Sequence, residues 1–167
     1  MSSKIYKIKV ITLSDRAAAG TYQDLSGPEI VRLTLSFFEK IGWKADIDSC
    51  IIKDDVASLK TQIKEALQQK TDLIFTTGGT GIGPRDITVD VIKPMLHKEI
   101  PGIMEYIRYT YGQVKPAALL SRAVAGVIDQ SLVFTLPGSP KAVTEYCSEI
   151  FKILEHTFYM LQGLDKH

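Results

Sequence analysis

The stretch LIFTTGGTGIGPRD, Leu73–Asp86, joins a short apolar run to a loop that holds four glycines. The apolar run, Leu73, Ile74 and Phe75, has the length and composition of a strand that is buried on both faces. In the loop, Thr76–Asp86, glycines allow close approach and positive φ, so that backbone N–H groups can converge on phosphate oxygens. The stretch therefore predicts a buried strand followed by an anion-binding loop.

Strand-like and helix-like segments alternate on both sides of this stretch. In chain order they are a strand over residues 5–13, a helix over 28–41, a strand over 44–52, a helix that ends near 69, the strand at 73–75, helices over 87–96 and 103–111 with a break at Pro101 and Gly102, a strand over 132–136 and a helix over 140–161. Such alternation predicts an α/β fold with three layers, in which helices cover both faces of a mostly parallel central sheet.

Composition narrows the class of protein. The chain has 167 residues, 45% of them apolar, which predicts one domain over residues 1–167. Lys and Arg number 20 against 19 Asp and Glu, and a net charge of +1 predicts neither a nucleic-acid nor a membrane partner. No apolar run approaches the roughly 20 residues that span a bilayer. The polar start, residues 1–9, lacks the pattern of a secretory signal, so we expect the cytoplasm.

Cysteines and histidines are not predicted to carry chemistry. Cys50 and Cys147 are far apart and form no CxxC pair, so the sequence predicts buried thiols rather than a zinc site or a disulfide. The histidines, His97, His156 and His167, lie outside the motifs and are predicted to be solvated. Any phosphate chemistry must then use other side chains.

Polar side chains recur where the predicted strands end. Ser14, Asp15 and Arg16 follow the first strand, and Asp54 and Asp55 follow the second. At least one of the last two is expected to cap the next helix, and the sequence leaves open which one. In sheets of this class the ligand site lies beyond the carboxyl ends of the strands, so we expect these side chains to converge. The last strand is preceded by Ser121 and Arg122 and followed by Pro137, Gly138 and Ser139.

The glycine-rich loop differs from the common nucleotide-binding motifs. A P-loop ends in Gly-Lys-Ser/Thr, whereas Gly83 is followed by Pro84. The even spacing of Gly79, Gly81 and Gly83 does not fit GxGxxG either, so neither a P-loop NTPase nor a Rossmann oxidoreductase is supported. The plain alternative is a turn whose glycines serve backbone geometry only.

Two charged residues at the end of the loop favour a functional role. The guanidinium of Arg85 can neutralise phosphate charge. The carboxylate of Asp86 would be repelled by a phosphate, unless it serves as a Mg²⁺ ligand. The loop is therefore interpreted as a site for a magnesium-bound phosphate.

With these residues in view, the sequence resembles the MogA and gephyrin G-domain family of molybdenum cofactor biosynthesis. TTGGTG by itself is also shared with MoaB-like and CinA-like relatives, whereas the SDRAAAGTYQD and LSR segments favour the adenylyltransferase branch. The segments that carry the resemblance are SDRAAAGTYQD (Ser14–Asp24), TTGGTGIGPRDIT (Thr76–Thr88), PGIMEYIR (Pro101–Arg108), LLSRAVAGV (Leu119–Val127) and LPGSPKAV (Leu136–Val143).

The resemblance implies an enzyme that adenylylates molybdopterin. The terminal phosphate of molybdopterin attacks the α-phosphorus of ATP, with Mg²⁺ as cofactor and ATP as co-substrate, and pyrophosphate leaves. Phosphoryl-type transfer relies on alignment and charge neutralisation, which agrees with a site that has no catalytic Cys or His. The resemblance also implies a homotrimer and transient contact with a molybdenum insertase.

Matched motif by motif, Asp54 and Asp86 correspond to the two acidic residues that the family uses for catalysis, and the role we assign them is to hold Mg²⁺. Lys53 stands where a relative can have proline, so whether Asp54 or Asp55 faces the metal stays open. The other matched positions are implied to cradle phosphates or to line the nucleotide or pterin pocket: Ser14, Asp15, Arg16, Thr77, Gly78, Gly79, Thr80, Gly81, Arg85, Ser121, Arg122, Pro137, Gly138 and Ser139.

Two other functions compete with this hypothesis. A MoaB-like protein would bind molybdopterin without chemistry and would be indifferent to substitution of the two aspartates. A CinA-like hydrolase of nucleotides or pyridine nucleotides is less well supported, because such activity usually belongs to longer chains and the SDR segment fits it poorly.

Overall fold

The computed structural model of the chain describes residues 4–164. The strands in that range are β1 (Ile5–Leu13), β2 (Lys44–Ile52), β3 (Leu73–Thr77), β4 (Lys98–Glu99), β5 (Ala125–Ile128) and β6 (Ser131–Leu136). The α-helices are α1 (Asp15–Ala18), α2 (Ser26–Lys40), α3 (Val56–Gln68), α4 (Thr88–Ile92), α5 (Pro101–Gly112) and α6 (Pro140–Leu161).

The six strands form one sheet in the order β2-β1-β3-β6-β5-β4. The pairs β1–β2, β1–β3 and β3–β6 are parallel, whereas β5 pairs antiparallel with both β6 and β4. The expected mostly parallel sheet is thus confirmed. Because β1, β2, β3 and β6 run in the same direction, the loops that follow them all leave from one edge of the sheet.

Helices cover both faces of the sheet, which confirms the three-layer prediction. On β3, Phe75 faces a core that it shares with α2, α5 and α6, while Ile74 faces a second core with α3 and α4. Both side chains are fully buried. A strand with apolar residues on both faces can only be satisfied between two helical layers, which is why the run at 73–75 identifies the middle of the sheet.

Three local predictions differ from the structure. The helix expected over 87–96 ends at Ile92 and continues as a 3₁₀ turn, Lys93–Met95, because Pro94 has no N–H for a longer α-helix. Pro101 and Gly102 were predicted to separate two helices, but both belong to α5. Pro101 is the first residue of that helix, where the missing N–H of proline costs no hydrogen bond. The short strands β4 and β5 were not predicted.

The strand β5 was missed because its sequence signals are weak. It has four residues, one of them Gly126, and joins β6 through a two-residue turn at Asp129 and Gln130. Asp129 adopts φ 52°, a conformation that hairpin turns favour, but the usual Asn-Gly or Asp-Gly pair is absent. Antiparallel pairing at this end of the sheet thus depends on tertiary contacts rather than on local patterning.

The histidine prediction is confirmed where it can be checked: His97 and His156 are exposed, and His167 lies outside the described residues. Within residues 4–164, no helix is long and apolar enough to cross a membrane.

The cysteine prediction is right for one residue only. Cys147 on α6 is 1% exposed, whereas Cys50 is partly exposed because it lies on β2, which forms an edge of the sheet. Burial raises the pKa of Cys147 to about 12, and burial also raises the pKa of Cys50. Neither thiol is therefore primed as a nucleophile.

Alkylation should separate the two thiols, because the thiolate is the reactive species and Cys147 is also shielded from reagents. At neutral pH we expect iodoacetamide to modify Cys50 slowly and to leave Cys147 unmodified until the chain unfolds. Peptide mass spectrometry of native and denatured samples measures both rates. Equal rates for the two thiols in the native protein would contradict the packing of α6.

Candidate active site at the carboxyl edge of the sheet

A cavity of about 400 Å³ lies where the loops after β1, β2, β3 and β6 meet. Its walls come from these four loops, and the loop after β1 includes the segment that leads into α2. The lining residues are Thr12, Leu13, Ser14, Asp15, Arg16, Ala17, Tyr22, Asp24, Leu25, Ser26, Asp54, Gly79, Arg85, Asp86, Gly138 and Pro140. The convergence that the strand-end pattern predicts is therefore observed at this edge.

Asp15 and Asp54 join the loops after β1 and β2 through a reciprocal pair of hydrogen bonds. The backbone N–H of Asp15 donates to Oδ2 of Asp54 at 3.0 Å, and that of Asp54 donates to Oδ1 of Asp15 at 3.1 Å. The other oxygen of Asp15 accepts from Arg85, whose Nη2 lies at 2.5 Å and Nε at 3.1 Å. The three loops after β1, β2 and β3 are thus tied together by one carboxylate.

The two paired carboxyls have opposite electrostatic environments. The hydrogen bond from Arg85 holds the pKa of Asp15 below its usual range, with a further contribution from the Asp54 N–H. Burial raises the pKa of Asp54 in spite of the N–H that it accepts from Asp15, and the negative charges of Asp15 and Asp86 raise it further. Asp54 is therefore a partly buried carboxyl with two acidic neighbours, although the charge of Arg85 opposes the rise in its pKa.

The structure also distinguishes Asp54 from its neighbour. Asp55 is the N-cap of α3, and its carboxylate accepts from the backbone N–H of Ser58 at 2.7 Å. Asp54 lines the cavity. Of the two adjacent carboxylates, Asp55 is therefore the helix cap and Asp54 is the one that lines the cavity.

The glycine-rich loop begins with two positions at which any residue larger than glycine would clash. Gly78 has φ 97°, and a Cβ there would lie 2.3 Å from the carbonyl oxygen of Leu13; Gly79 has φ 66°, and a Cβ there would lie 2.4 Å from Oγ1 of Thr88. Thr88 holds this turn, since its hydroxyl donates to the Gly78 carbonyl at 2.8 Å and its N–H to the Gly79 carbonyl at 3.1 Å. These glycines let the loop pack directly on β1 and α4.

Asp86 is the last residue of the loop, and its carboxylate folds back over the preceding loop residues. Its Oδ2 accepts from the backbone N–H of Gly83 at 2.7 Å. The carboxylate also passes close to Gly81, where an added Cβ would lie 2.7 Å from Oδ2. The short loop thus holds its own carboxylate at the cavity wall.

The amino end of α6 contributes positive electrostatic potential at this edge of the sheet. Ser139 caps α6, because its hydroxyl accepts from the N–H of Ala142 at 3.2 Å, and Pro140 at the start of this 22-residue helix lines the cavity. The amino end of a helix favours anions. The amino end of α6 and the guanidinium of Arg85 would thus attract a phosphate to the cavity. The carboxylates in the same cavity would repel a phosphate that carries no metal ion.

Several predicted site residues support the cavity walls instead of lining the cavity. Thr77 is buried and donates to the carbonyl of Pro137 at 2.8 Å, so it links the ends of β3 and β6. Ser121 accepts from the hydroxyl of Tyr146 at 3.1 Å. Predicted residues in the lining are Ser14, Asp15, Arg16, Asp54, Gly79, Arg85, Asp86 and Gly138, whereas Thr77, Gly78, Thr80, Gly81, Ser121, Arg122, Pro137 and Ser139 lie outside it in the described chain.

Sequence reasoning missed part of the wall formed by the segment before α2. Tyr22 lines the cavity with Arg16 placed over its ring, 4.8 Å from the guanidinium carbon to the ring centroid. Asp24 lies two residues before α2, and its Oδ1 accepts from the N–H groups of Ser26 and Gly27 in the first turn of that helix. Both residues belong to the SDRAAAGTYQD segment, so their place in that motif was the available signal.

Two carboxylates of the cavity suit a magnesium ion that takes its other ligands from a phosphate and from water. Among residues 4–164, no cluster of three or more His, Cys, Asp or Glu side chains can hold a metal. Asp54 and Asp86 line one cavity, and the charge of Asp86 raises the pKa of Asp54. Mg²⁺ in proteins commonly takes one or two carboxylates together with substrate phosphates and water. The donor set agrees with that kind of shared site.

Comparison with known proteins gives this fold and cavity a family. A family model described as "Probable molybdopterin binding domain" matches residues 9–156. A protein named gephyrin from Dictyostelium discoideum is 35% identical over 164 residues; the match covers 95% of this chain, which spans only 23% of that relative's length. A protein named molybdopterin adenylyltransferase from Pyrococcus furiosus is 38% identical over 161 residues, 92% of each chain.

Solved structures give the same result. The crystal structure of the tungsten cofactor synthesizing protein MoaB from Pyrococcus furiosus superposes with a TM-score of 0.81 at 35% sequence identity, covering 95% of this chain and 98% of that one. Since the family match, the relatives and the fold agree over nearly all of the described residues, the chain belongs to the molybdopterin-binding domain family of molybdenum cofactor biosynthesis.

Proposed function

We propose that this protein adenylylates molybdopterin in a reaction that uses Mg-ATP and releases pyrophosphate. One observation carries the proposal: Asp54 and Asp86, contributed by separate crossover units, line the same cavity beside the glycine-rich loop. The Pyrococcus furiosus relative named molybdopterin adenylyltransferase, 38% identical over 92% of this chain, supports the same reaction.

The proposed reaction is a displacement at phosphorus. An oxygen of the terminal phosphate of molybdopterin forms a bond to the α-phosphorus of ATP, and the bond from that phosphorus to the bridging oxygen of the β-phosphate breaks. The electron pair leaves with pyrophosphate, and adenylyl-molybdopterin remains. No proton has to be removed from an ionised phosphate, which fits a cavity in which none of the described lining residues is histidine or cysteine.

The residues of this chain would bind and align the two phosphates. The backbone at Gly79 and Gly138 lines the cavity without side chains, so a polyphosphate can approach closely. Arg85 already lies at the rim, where its side chain is 66% exposed and paired with Asp15. We propose that its guanidinium is shared with the incoming phosphates. Alignment of this kind supplies a large part of the rate enhancement in phosphoryl transfer.

Magnesium would be held by Asp54 and Asp86. When bound, it would screen the repulsion between the phosphates and stabilise pyrophosphate as leaving group. The raised pKa of Asp54 is consistent with this role, because its burial and its acidic neighbours leave a carboxylate that a cation would stabilise.

A second candidate is a MoaB-like protein that binds molybdopterin without chemistry. It is kept because the MoaB structure from Pyrococcus furiosus, at 35% identity, is about as similar to this chain as the relative named an adenylyltransferase, and the name of that structure specifies no adenylyl transfer. Such a protein would bind the pterin equally well with and without ATP, and substitution of the two aspartates would change nothing.

Pyrophosphate release separates the two candidates. We expect the purified protein to release pyrophosphate from ATP only when molybdopterin and Mg²⁺ are both present, with one adenylyl-molybdopterin formed for each pyrophosphate. A coupled phosphate assay together with mass spectrometry of the pterin measures both products. Pterin binding without any pyrophosphate would favour the MoaB-like candidate and contradict the transferase.

A further inference from the structure

Arg122 lies outside the described lining of the cavity but makes several hydrogen bonds to the glycine-rich loop. Its Nε donates to the carbonyl of Gly81 at 2.8 Å, and its Nη2 donates to the carbonyl of Asp86 at 2.9 Å. The guanidinium also makes a two-point contact with the carboxylate of Asp90, at 2.8 and 3.0 Å. The backbone N–H of Arg122 donates to the carbonyl of Thr80 at 2.8 Å.

These bonds connect the middle and the end of the loop to one side chain. Gly81 lies in the middle of Thr76–Asp86 and Asp86 at its end, and Asp90 lies on α4 one turn further on. Between the two carbonyls that Arg122 holds, the loop residues 82–85 are exposed. An exposed loop has little packing of its own, so its shape depends on such fixed points.

The contacts of Arg122 bear directly on the direction of the Asp86 carboxylate. The Asp86 backbone is held through its carbonyl by Arg122, and its side chain is held by the N–H of Gly83. Releasing the carbonyl would let the backbone of Asp86 rotate and take the carboxylate away from the cavity wall. Arg122 itself lies outside the lining of that cavity among the described residues, so its guanidinium acts through the loop.

We propose that Arg122 is a positioning residue, which fixes the glycine-rich loop so that Asp86 faces the magnesium-bound phosphate. This inference rests on the proposed function and revises the expectation that Arg122 lines the nucleotide or pterin pocket. The geometry requires arginine. A planar guanidinium reaches two carbonyls and a carboxylate in fixed directions, whereas the single ammonium of lysine cannot span all three acceptors.

The test compares Arg122→Lys with Arg32→Lys as a matched control. Arg32 also forms an exposed ion pair, with Glu29 on α2, but it lies outside the cavity lining and the loop. We expect Arg122→Lys to lower kcat by about 10- to 100-fold, the usual cost of losing a residue that orients a metal ligand. KM for molybdopterin should stay within about twofold, since a loop-positioning role adds no pterin contact. Arg32→Lys should match the wild type.

Hydrogen exchange provides a readout that does not depend on activity. In Arg122→Lys, amides in a peptide spanning residues 80–90 should exchange faster, because Gly83, Asp86 and Thr88 donate backbone N–H bonds within the loop and its junction with α4. A peptide from β1 should be unchanged. Arg122→Gln, which keeps a neutral donor, is the second variant should the lysine variant fold poorly.

The outcomes are distinguishable. Unchanged exchange over 80–90 in the folded variant overturns the positioning role, and so does faster exchange with wild-type kcat. Faster exchange with lowered kcat and preserved KM supports it. If the wild-type protein releases no pyrophosphate, the proposed function fails, and the exchange of the loop in Arg122→Lys alone then decides whether Arg122 holds the loop.

Discussion

Asp86→Asn is expected to abolish nearly all pyrophosphate release while the protein stays folded. The amide oxygen of asparagine can still accept the hydrogen bond that Gly83 donates to Asp86 at 2.7 Å, so the loop should keep its shape. What the substitution removes is a negative charge at the cavity wall. Loss of one electrostatic contact to a transferring group commonly costs at least about 100-fold in rate, and we expect a loss of that order in kcat.

The control for this prediction is Asp46→Asn, which also neutralises one aspartate. Asp46 is exposed on β2 near the amino end of the strand, opposite the cavity edge of the sheet. It should retain wild-type activity. Wild-type pyrophosphate release by Asp86→Asn, with circular dichroism and thermal unfolding unchanged in both variants, would show that the carboxylate has no catalytic role.

Gly78→Ala should cause the largest loss of stability among single substitutions in the loop. The new methyl group would lie 2.3 Å from the carbonyl oxygen of Leu13, and the φ of 97° is unfavourable for alanine. Because the contact is with backbone, neither partner can rotate away. Adding the cost of overpacking to that of the left-handed backbone gives about 2–5 kcal/mol. Urea unfolding measures this difference in the free energy of unfolding.

Gly42→Ala separates the two causes of that loss. Gly42 follows α2 with φ 74°, but no atom lies within 4 Å of an added Cβ. It should therefore lose only the backbone contribution, about 1–2 kcal/mol. If the two variants unfold at the same urea concentration, the loop does not pack against β1 as described.

The parallel part of the fold was predictable because each of its strands carries its own signal. The run at 73–75 is apolar on both faces, and the structure places it in the middle of the sheet between two cores. The antiparallel β5 has no comparable signal, since a four-residue segment containing Gly126 becomes a strand only by pairing with β6. Short strands whose residues carry no strand pattern of their own are the least predictable part of such a sheet.

That the loops after β1, β2 and β3 meet at one edge was predictable from the sequence, whereas the roles of their side chains stay predictions. Topology alone brings Asp15, Asp54 and Asp86 to one edge, because their strands are parallel. It does not determine which way a side chain points once a loop turns. Arg122 belongs to a recognisable motif, but whether its guanidinium faces the cavity or the back of the loop depends on hydrogen bonds to Gly81 and Asp90, which the sequence does not reveal.

The proposed catalysis depends on a magnesium-bound polyphosphate that is shared by Asp54 and Asp86. Its most direct test is the affinity of a non-hydrolysable ATP analogue, measured by calorimetry with excess Mg²⁺ and again with a chelator, for the wild type and for the Asp54→Asn/Asp86→Asn double variant. With Mg²⁺, the wild type should bind at least about tenfold more tightly than the double variant. With the chelator the order should reverse, because the variant lacks two charges that repel the free nucleotide. An affinity in the wild type that does not depend on Mg²⁺, or a double variant with the same magnesium dependence as the wild type, would contradict a magnesium site shared by these two aspartates.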